Sequence, residues 1–331
     1  VYVRNEEKGK YEITDKREGT DPIYDDNVMT IFPRMWNGTK PSYISTYNQY
    51  IDKSKMVPVT MKKADGTSET VLRPTFMQNL KFFIGYQCNH MYWRYFMWNF
   101  AGRQNDIQGH GELENGNWIS GIDFIDNARL GNQDNLPKSM TNSGRTEFYF
   151  LPLILGLIGL FYHLKKDINN SWIVFLLFFM TGLAIVIYLN QTPYQPRERD
   201  YAYAGSFYAF CIWIGIGVLA IVELLNKIFK NKMAAATVAF ILSLSVPTVM
   251  AASGWEGHNR SNKTSALDWG KNYLKNLPDN AVIFTRGDND TFPLWYVQEV
   301  EGYRTDVRVC NYMLSSGYWY VHQMGRKQYE S

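Results

Sequence analysis

Apolar positions crowd the middle of this 331-residue chain. Four runs stand close together: Phe148–Leu164, Trp172–Leu189, Ala204–Leu225 and Ala234–Ala252. Each has roughly the ~17–25 residues needed to cross ~30 Å of hydrocarbon. Glu223, at the end of the third run, is the only acid inside any of them. The pattern predicts a polytopic α-helical membrane protein, with four transmembrane helices between residues 146 and 253.

The flanks are polar and predict extramembrane α+β and αβ regions. Asp21-Pro22, Asn37-Gly38 and Asp65-Gly66 are turn signals. Val57–Lys63 and Thr67–Leu72 read as the two arms of a β-hairpin around Asp65-Gly66. Residues 74–100 carry a dense aromatic set, interrupted by Lys81, Asn89, His90 and Arg94. That mixture is too polar for a comfortable span. It fits a helix lying in the membrane interface, with Trp and Tyr at headgroup depth, or an amphipathic helix packed on a core. Residues 101–145 are rich in Gly, Asn and Asp and read as loop; the region 1–145 is taken as one extramembrane part. Residues 254–331 open a second one. Ser265–Leu277 has a helical period with Ala266, Trp269, Tyr273 and Leu277 on one face. Ala281–Thr285 and Val307–Tyr312 read as buried strands with a short helix between them. That order predicts a parallel pair joined by a right-handed crossover.

Charge orients the runs. The connections His163–Lys166 and Lys227–Lys232 are both basic and are expected on the cytoplasmic side. The loop Tyr194-Gln-Pro-Arg-Glu-Arg-Asp-Tyr-Ala-Tyr203 then faces outward, with residues 1–145 and 254–331. Its Arg197 and Arg199 run against the charge bias. Net charge is only +3, which gives no basic field for nucleic acid. Mean hydropathy is slightly negative because the polar flanks dilute the apolar middle. The three cysteines, Cys88, Cys211 and Cys310, lack metal or disulfide spacing, and Cys211 reads as a packing residue. The chain opens on Val1-Tyr-Val-Arg and is expected to be an internal piece of a longer protein.

Three groups could carry chemistry. Arg197 and Arg199, flanked by Glu198 and Asp200, suit a lipid phosphate, because planar guanidinium groups bind phosphate oxygens in pairs. The alternative is intraloop salt bridges with headgroup snorkelling. Asp288-Asn-Asp290 has the D-x-D form that holds divalent metals in many nucleotide-sugar transferases, but its acids can equally cap the helix near Pro293. No metal site is therefore assigned. Arg103, Asp106 and His110, with Arg94, form a polar group in or beside a glycine-rich loop, where hydrogen bonding to loop backbone is the simpler role. GxSxG, HExxH and Walker patterns are absent.

Three separated stretches carry a family resemblance: Arg94–Gly109, Gln195–Tyr203 and Gly287–Tyr296. They resemble the DUF2723 membrane proteins of Bacteroidetes, which are similar to protein O-mannosyltransferases of the GT-C class. The resemblance implies a multi-pass protein of the bacterial inner membrane, with its soluble regions facing the periplasm. It implies transfer of a sugar from a polyprenyl-phosphate donor to hydroxyls of exported proteins, with no cofactor and inversion at the sugar carbon. Arg197 and Arg199 would bind the lipid phosphate; the catalytic base stays unassigned and would lie upstream. A non-enzymatic, membrane-anchored envelope binding or assembly protein is the alternative. A transporter is disfavoured because the runs lack charges and obvious breaks.

Overall fold

The computed structural model describes residues 2–13, 24–34, 40–63, 65–138 and 140–326. The turn signals at Asp21-Pro22 and Asn37-Gly38 lie outside them. The chain divides into two units, Val1–Gly257 and His258–Ser331.

Unit 1 opens with an antiparallel pair, β1 (Tyr2–Asn5) and β2 (Lys10–Ile13), followed by α1 (Pro41–Tyr50) with Pro in its first turn. The hairpin expected at Asp65-Gly66 forms as β3 (Val57–Lys62) and β4 (Ser68–Arg73), in register from Val57↔Arg73 to Lys62↔Ser68. Gly66 takes φ +83° at the turn, a conformation glycine adopts without strain. Thr75 and Gln78 then make a reciprocal cap. It starts α2 (Phe76–Phe82), which continues through a π-helical stretch, Phe83–Trp93, into α3 (Arg94–Phe100).

The aromatic side chains of this long helix do not form a surface belt. Phe82, Tyr86, Tyr92, Tyr95 and Trp98 pack with Tyr47 of α1, while Phe96 and Phe100 pack with Phe210 and Trp213. Tyr95 is fully buried. One face of residues 74–100 is thus packed into a protein core, and Phe76, Met77, Ile84 and Trp93 stay exposed. Sequence periodicity could not show this, because the covering residues come from elements far along the chain.

A short pair, β5 (Gly102–Arg103) and β6 (Thr146–Glu147), closes the loop region that carries α4 (Asp123–Leu130). Asp126 of α4 is buried and accepts the Ser120 and Gly121 amides. The first apolar run becomes α5 (Leu151–Lys166), set off by Tyr149 and Phe150 at φ +53° and +56°. The second becomes α6 (Ile168–Thr181) and α7 (Leu183–Leu189), the third α8 (Ala204–Leu225) and the fourth α9 (Lys232–His258).

Among the described residues, three helical segments are long and apolar enough to cross a membrane: Ile168–Leu189, Asp200–Asn226 and Lys232–His258. The expected first span is corrected. Its helix has 16 residues, which rise about 24 Å against a core of ~30 Å. The structure therefore supports a membrane-compatible chain with small sheets, and neither four spans nor a GT-C arrangement. Two smaller readings change as well. The second run breaks at Gly182, whose position is crowded by the Tyr92 and Ser206 hydroxyls, so the spans are not free of breaks. Cys211 is exposed on α8 and is not a packing residue.

α5 runs in the same direction as α8. Gly156 meets Phe210, Gly159 meets Trp213, and Lys166 reaches Glu223 at 2.8 Å. The start of α5, and the region leading into it, therefore lies at the Ala204 end of α8. Contact is closest at glycines: a Cβ on Gly159 would stand 1.8 Å from the Trp213 carbonyl oxygen, and one on Gly217 2.3 Å from that of Leu155. Small residues allow backbones to approach this closely without a hydrophobic drive in lipid.

Unit 2 contains α10 (Ser265–Lys275), β7 (Val282–Thr285), α11 (Asp288–Glu299), β8 (Arg308–Asn311) and α12 (Tyr318–Met324). β7 and β8 pair in parallel, from Val282↔Arg308 to Thr285↔Asn311, as the sequence predicts. Leu274, Leu294, Val297, Val307 and Val309 form the core. The buried face of α10 is not the predicted one: Trp269 and Tyr273 are exposed, while Gly270 and Leu274 point inward. Gly270 faces Val297 and the Pro293 carbonyl, where a side chain would collide. The close approach selects the glycine face, which hydrophobic patterning does not register.

Gly159→Ala is expected to lower the thermal midpoint in detergent, at a cost of about 1–3 kcal/mol for overpacking. Gly215→Ala is the matched control, since nothing lies within 4 Å of its position; its midpoint should hold or rise, because alanine favours a helix interior over glycine.

Candidate functional site

The candidate site is built where α3 meets the loop that joins the first two candidate spans. Tyr86, His90, Arg94 and Trp98 recur every four residues, a spacing that keeps them on one helix face. Arg94 is almost wholly buried. Its Nη2 donates to Glu198 Oε2 at 2.8 Å and its Nη1 to Oε1 at 3.2 Å. Tyr95 Oη donates to Oε2 at 2.5 Å, and the Gly109 amide donates to Oε1 at 3.1 Å. Arg94 also donates to the carbonyls of His90 and Gly116. Its guanidinium carbon stands 4.6 and 4.7 Å from the Tyr95 and Trp98 ring centres.

Glu198 is therefore held on both oxygens and turned into the protein. Burial alone pushes its carboxyl up, but the Arg94 guanidinium, the Tyr95 hydroxyl and the Gly109 amide outweigh it, so the group lies below the usual carboxylate range. Such a carboxylate is a fastener and is poorly placed to take a proton from a substrate.

Its neighbours are arranged differently. Among the described residues, neither Arg197 nor Arg199 forms an ion pair. Arg199 Nε donates to Gln195 Oε1 at 3.2 Å and Nη1 to Tyr201 Oη at 2.7 Å, while Arg197 lies 5.4 Å from the Tyr201 ring centre. Arg199, Gln195 and Tyr201 line a cavity of about 400 Å³ with Thr192 and Gln191, whose Oε1 is enclosed and unpartnered. The intraloop salt bridges offered as the simpler alternative for Arg197 and Arg199 do not form.

The remaining residues of the polar group are spread around this centre. Arg103 Cζ sits 4.0 Å above the Trp98 ring centre. Asp106 is exposed and accepts from Asn142 Nδ2 at 2.6 Å. His110 lies against Tyr194, with ring centres 5.2 Å apart, and its amide donates to Glu112. Asp200 begins a short 3₁₀ turn and is half-buried. His90, which the sequence presents only as an interruption, stacks on Tyr86. Burial first, and then the Arg94 charge, brings its pKa down to about 3, so it is neutral at physiological pH.

A second network holds the other end of the loop. Buried Arg34 donates to Gln87 Oε1 at 2.9 Å and to the Ile187 carbonyl at 3.3 Å. Gln87 in turn donates to Asn190 Oδ1 at 2.8 Å. Arg34 and Gln87 lie in no motif, and nothing within the 94–109 stretch marks Tyr95; burial reveals their roles.

In unit 2, Asp290 accepts the Arg286 and Gly287 amides at 2.7 and 2.8 Å, closing the start of α11. The Arg286 amide bond leads in holding its carboxyl below the usual range. Thr291 Oγ1 donates to the Gly287 carbonyl and contacts Thr285, and Asn311 donates to it. The Gly287–Thr291 stretch thus knits the helix to both strands. Among the described residues, no group of three or more His, Cys, Asp or Glu side chains is placed to hold a metal ion.

Comparison with known families matches two parts of the chain. Residues 266–331 match TMEM260-associated domain 2, and residues 1–84 match a family of unknown function, DUF8416. The resemblance to DUF2723 is thereby overturned: the matching families are different ones. No curated protein and no solved structure matches the chain.

Glu198→Gln leaves Arg94 buried without its counter-charge and is expected to cost about 3–5 kcal/mol. Because the folded carboxyl lies below its unfolded value, this contribution is complete above about pH 4.3 and is lost as pH falls through the folded value. The wild-type minus Glu198→Gln difference in thermal midpoint should be flat from neutral pH to about 5 and shrink below about 4.3. Asp290→Ala should destabilise unit 2 by about 1–2 kcal/mol in chemical denaturation, as for loss of a helix cap. Asp288→Ala should be near neutral.

Proposed function

We propose that this chain is part of a membrane-bound glycosyltransferase that binds a lipid-linked sugar through its phosphate at the 194–200 loop. The observation that carries the reading is the opposite fate of adjacent charges. Glu198 is turned inward and fully bonded, while Arg197 and Arg199 on either side have no carboxylate partner among the described residues. Two guanidinium groups left unpaired where a membrane-facing segment begins suit a polyprenyl phosphate. The match to a TMEM260-associated domain favours a glycosyltransferase-related role.

In this reading the spans Ile168–Leu189 and Asp200–Asn226 deliver the lipid chain to the loop from the hydrocarbon side. The basic connections 163–166 and 227–232 lie on the cytoplasmic side of a bacterial inner membrane, so the loop faces the periplasm. The acceptor would be a hydroxyl of an exported protein. As the bond between sugar carbon and phosphate oxygen breaks, charge gathers on the departing phosphate, where preorganised cations have their largest effect. The hydroxyl's proton requires a separate base, since both Glu198 oxygens are engaged.

The test is made in cells that depend on the full-length protein. The double variant Arg197→Ala, Arg199→Ala is expected to reduce glycosylation of exported proteins by about 10²-fold or more, with unchanged membrane insertion. Glycosylation at the wild-type level would refute the reading.

A further inference from the structure

We infer that Arg103 is a third cation of this anion site, a phosphate-binding residue that lies outside the loop motif; the inference rests on the phosphate reading of Arg197 and Arg199. Arg103 is fixed at its backbone. Its amide donates to Thr146 Oγ1 at 3.1 Å, and it lies in β5 with a further bridge to Trp118. Its guanidinium is fixed by the Trp98 ring, 4.0 Å away. A planar cation on an aromatic face keeps its N–H groups directed sideways and available.

Those groups have no hydrogen-bond or ion-pair partner among the described residues. Arg103 Nε is enclosed and makes no hydrogen bond. Other buried or half-buried arginines of unit 1 are engaged: Arg34 with Gln87 and the Ile187 carbonyl, Arg94 with Glu198, Arg129 with the Trp118 carbonyl and Arg145 with Glu147. Trp98 carries both Arg103 and Arg94, at 4.0 and 4.7 Å from its ring centre, and Arg94 holds Glu198, so Arg103 lies one ring away from the loop; Asp200, Glu198 and Asp106 are the acids that act on it most. Glu198 is consumed by Arg94, Tyr95 and Gly109, and Asp106 is bonded to Asn142. Asp200 forms no ion pair with Arg103 within contact distance. A sheltered, oriented and unpartnered guanidinium beside the 197–200 loop is the form a phosphate-binding arginine takes before its ligand arrives. The ligand class is a phosphate ester or free phosphate.

The test uses the purified full-length protein in detergent and isothermal titration with farnesyl phosphate, inorganic phosphate and, as the uncharged control, farnesol. Arg103→Gln keeps the stem over Trp98 and removes the charge. It is expected to weaken farnesyl phosphate binding about tenfold or more, with farnesol unchanged. Equal loss for inorganic phosphate assigns the site to the phosphate alone; loss confined to farnesyl phosphate assigns it to the lipid headgroup. Arg103→Lys, which keeps charge without the fork, should fall between wild type and Arg103→Gln. It decides the matter if Arg103→Gln does not fold: wild-type affinity in Arg103→Lys would overturn the inference. Unchanged binding in Arg103→Gln, with loss in Arg197→Ala, Arg199→Ala, removes Arg103 and leaves the loop reading standing. The reverse pattern keeps Arg103 and removes the loop arginines. Absence of phosphate-dependent binding by the wild type overturns both.

Discussion

The buried pair of Arg94 and Glu198 is the constraint on which this end of unit 1 depends. Two charges removed from water are costly unless each is fully bonded. Here Glu198 receives four donors and Arg94 reaches three acceptor groups while lying on two aromatic rings. The pair joins α3 to a loop about a hundred residues later in the chain, and through Gly109 and Gly116 it also fixes the glycine-rich region between them. The conformation of the loop therefore follows from the need to bury Glu198. Arg197 and Arg199 are left outside as a geometric consequence.

The loop is held at its other end by the chain from Arg34 through Gln87 to Asn190. Arg34 also donates to the Ile187 carbonyl near the end of α7, where a cation offsets the partial negative charge of a helix terminus. The backbone of Arg197 and Arg199 is thus held from both sides; in the function proposed above, that positions the two cations in advance of the charge that develops on the phosphate. Arg103 fits the same scheme, with Trp98 serving both it and Arg94.

Packing between the apolar helices follows a different rule. In lipid there is no hydrophobic gain in bringing one apolar helix to another, so close backbone contact must supply the attraction. Gly156, Gly159 and Gly217 allow α5 and α8 that contact. Glu223 is satisfied by Tyr162 and Lys166 at the opposite end from the loop. α5 is thus fastened along its length to a neighbouring span, although it is shorter than the bilayer core. In unit 2 the same device recurs at Gly270, where the closest approach of α10 and α11 overrides the predicted apolar face.

The sequence by itself determined the features whose cause is local. Apolar runs bounded by charge made helices, Asp65-Gly66 made a hairpin, the β-loop-α-β order made a parallel pair, and the charged loop emerged between two of the spans. The tertiary structure alone decided which of those charges remain available. Arg197, Glu198 and Arg199 are equivalent as letters, yet only Glu198 has Arg94, Tyr95 and Gly109 converging on it. Tertiary packing likewise decided that the aromatic helix is a core element, that the first run is a packed helix of 16 residues, and that Asp290 closes a helix. Each outcome depends on which distant groups reach a side chain, and patterns of nearby residues carry no record of that.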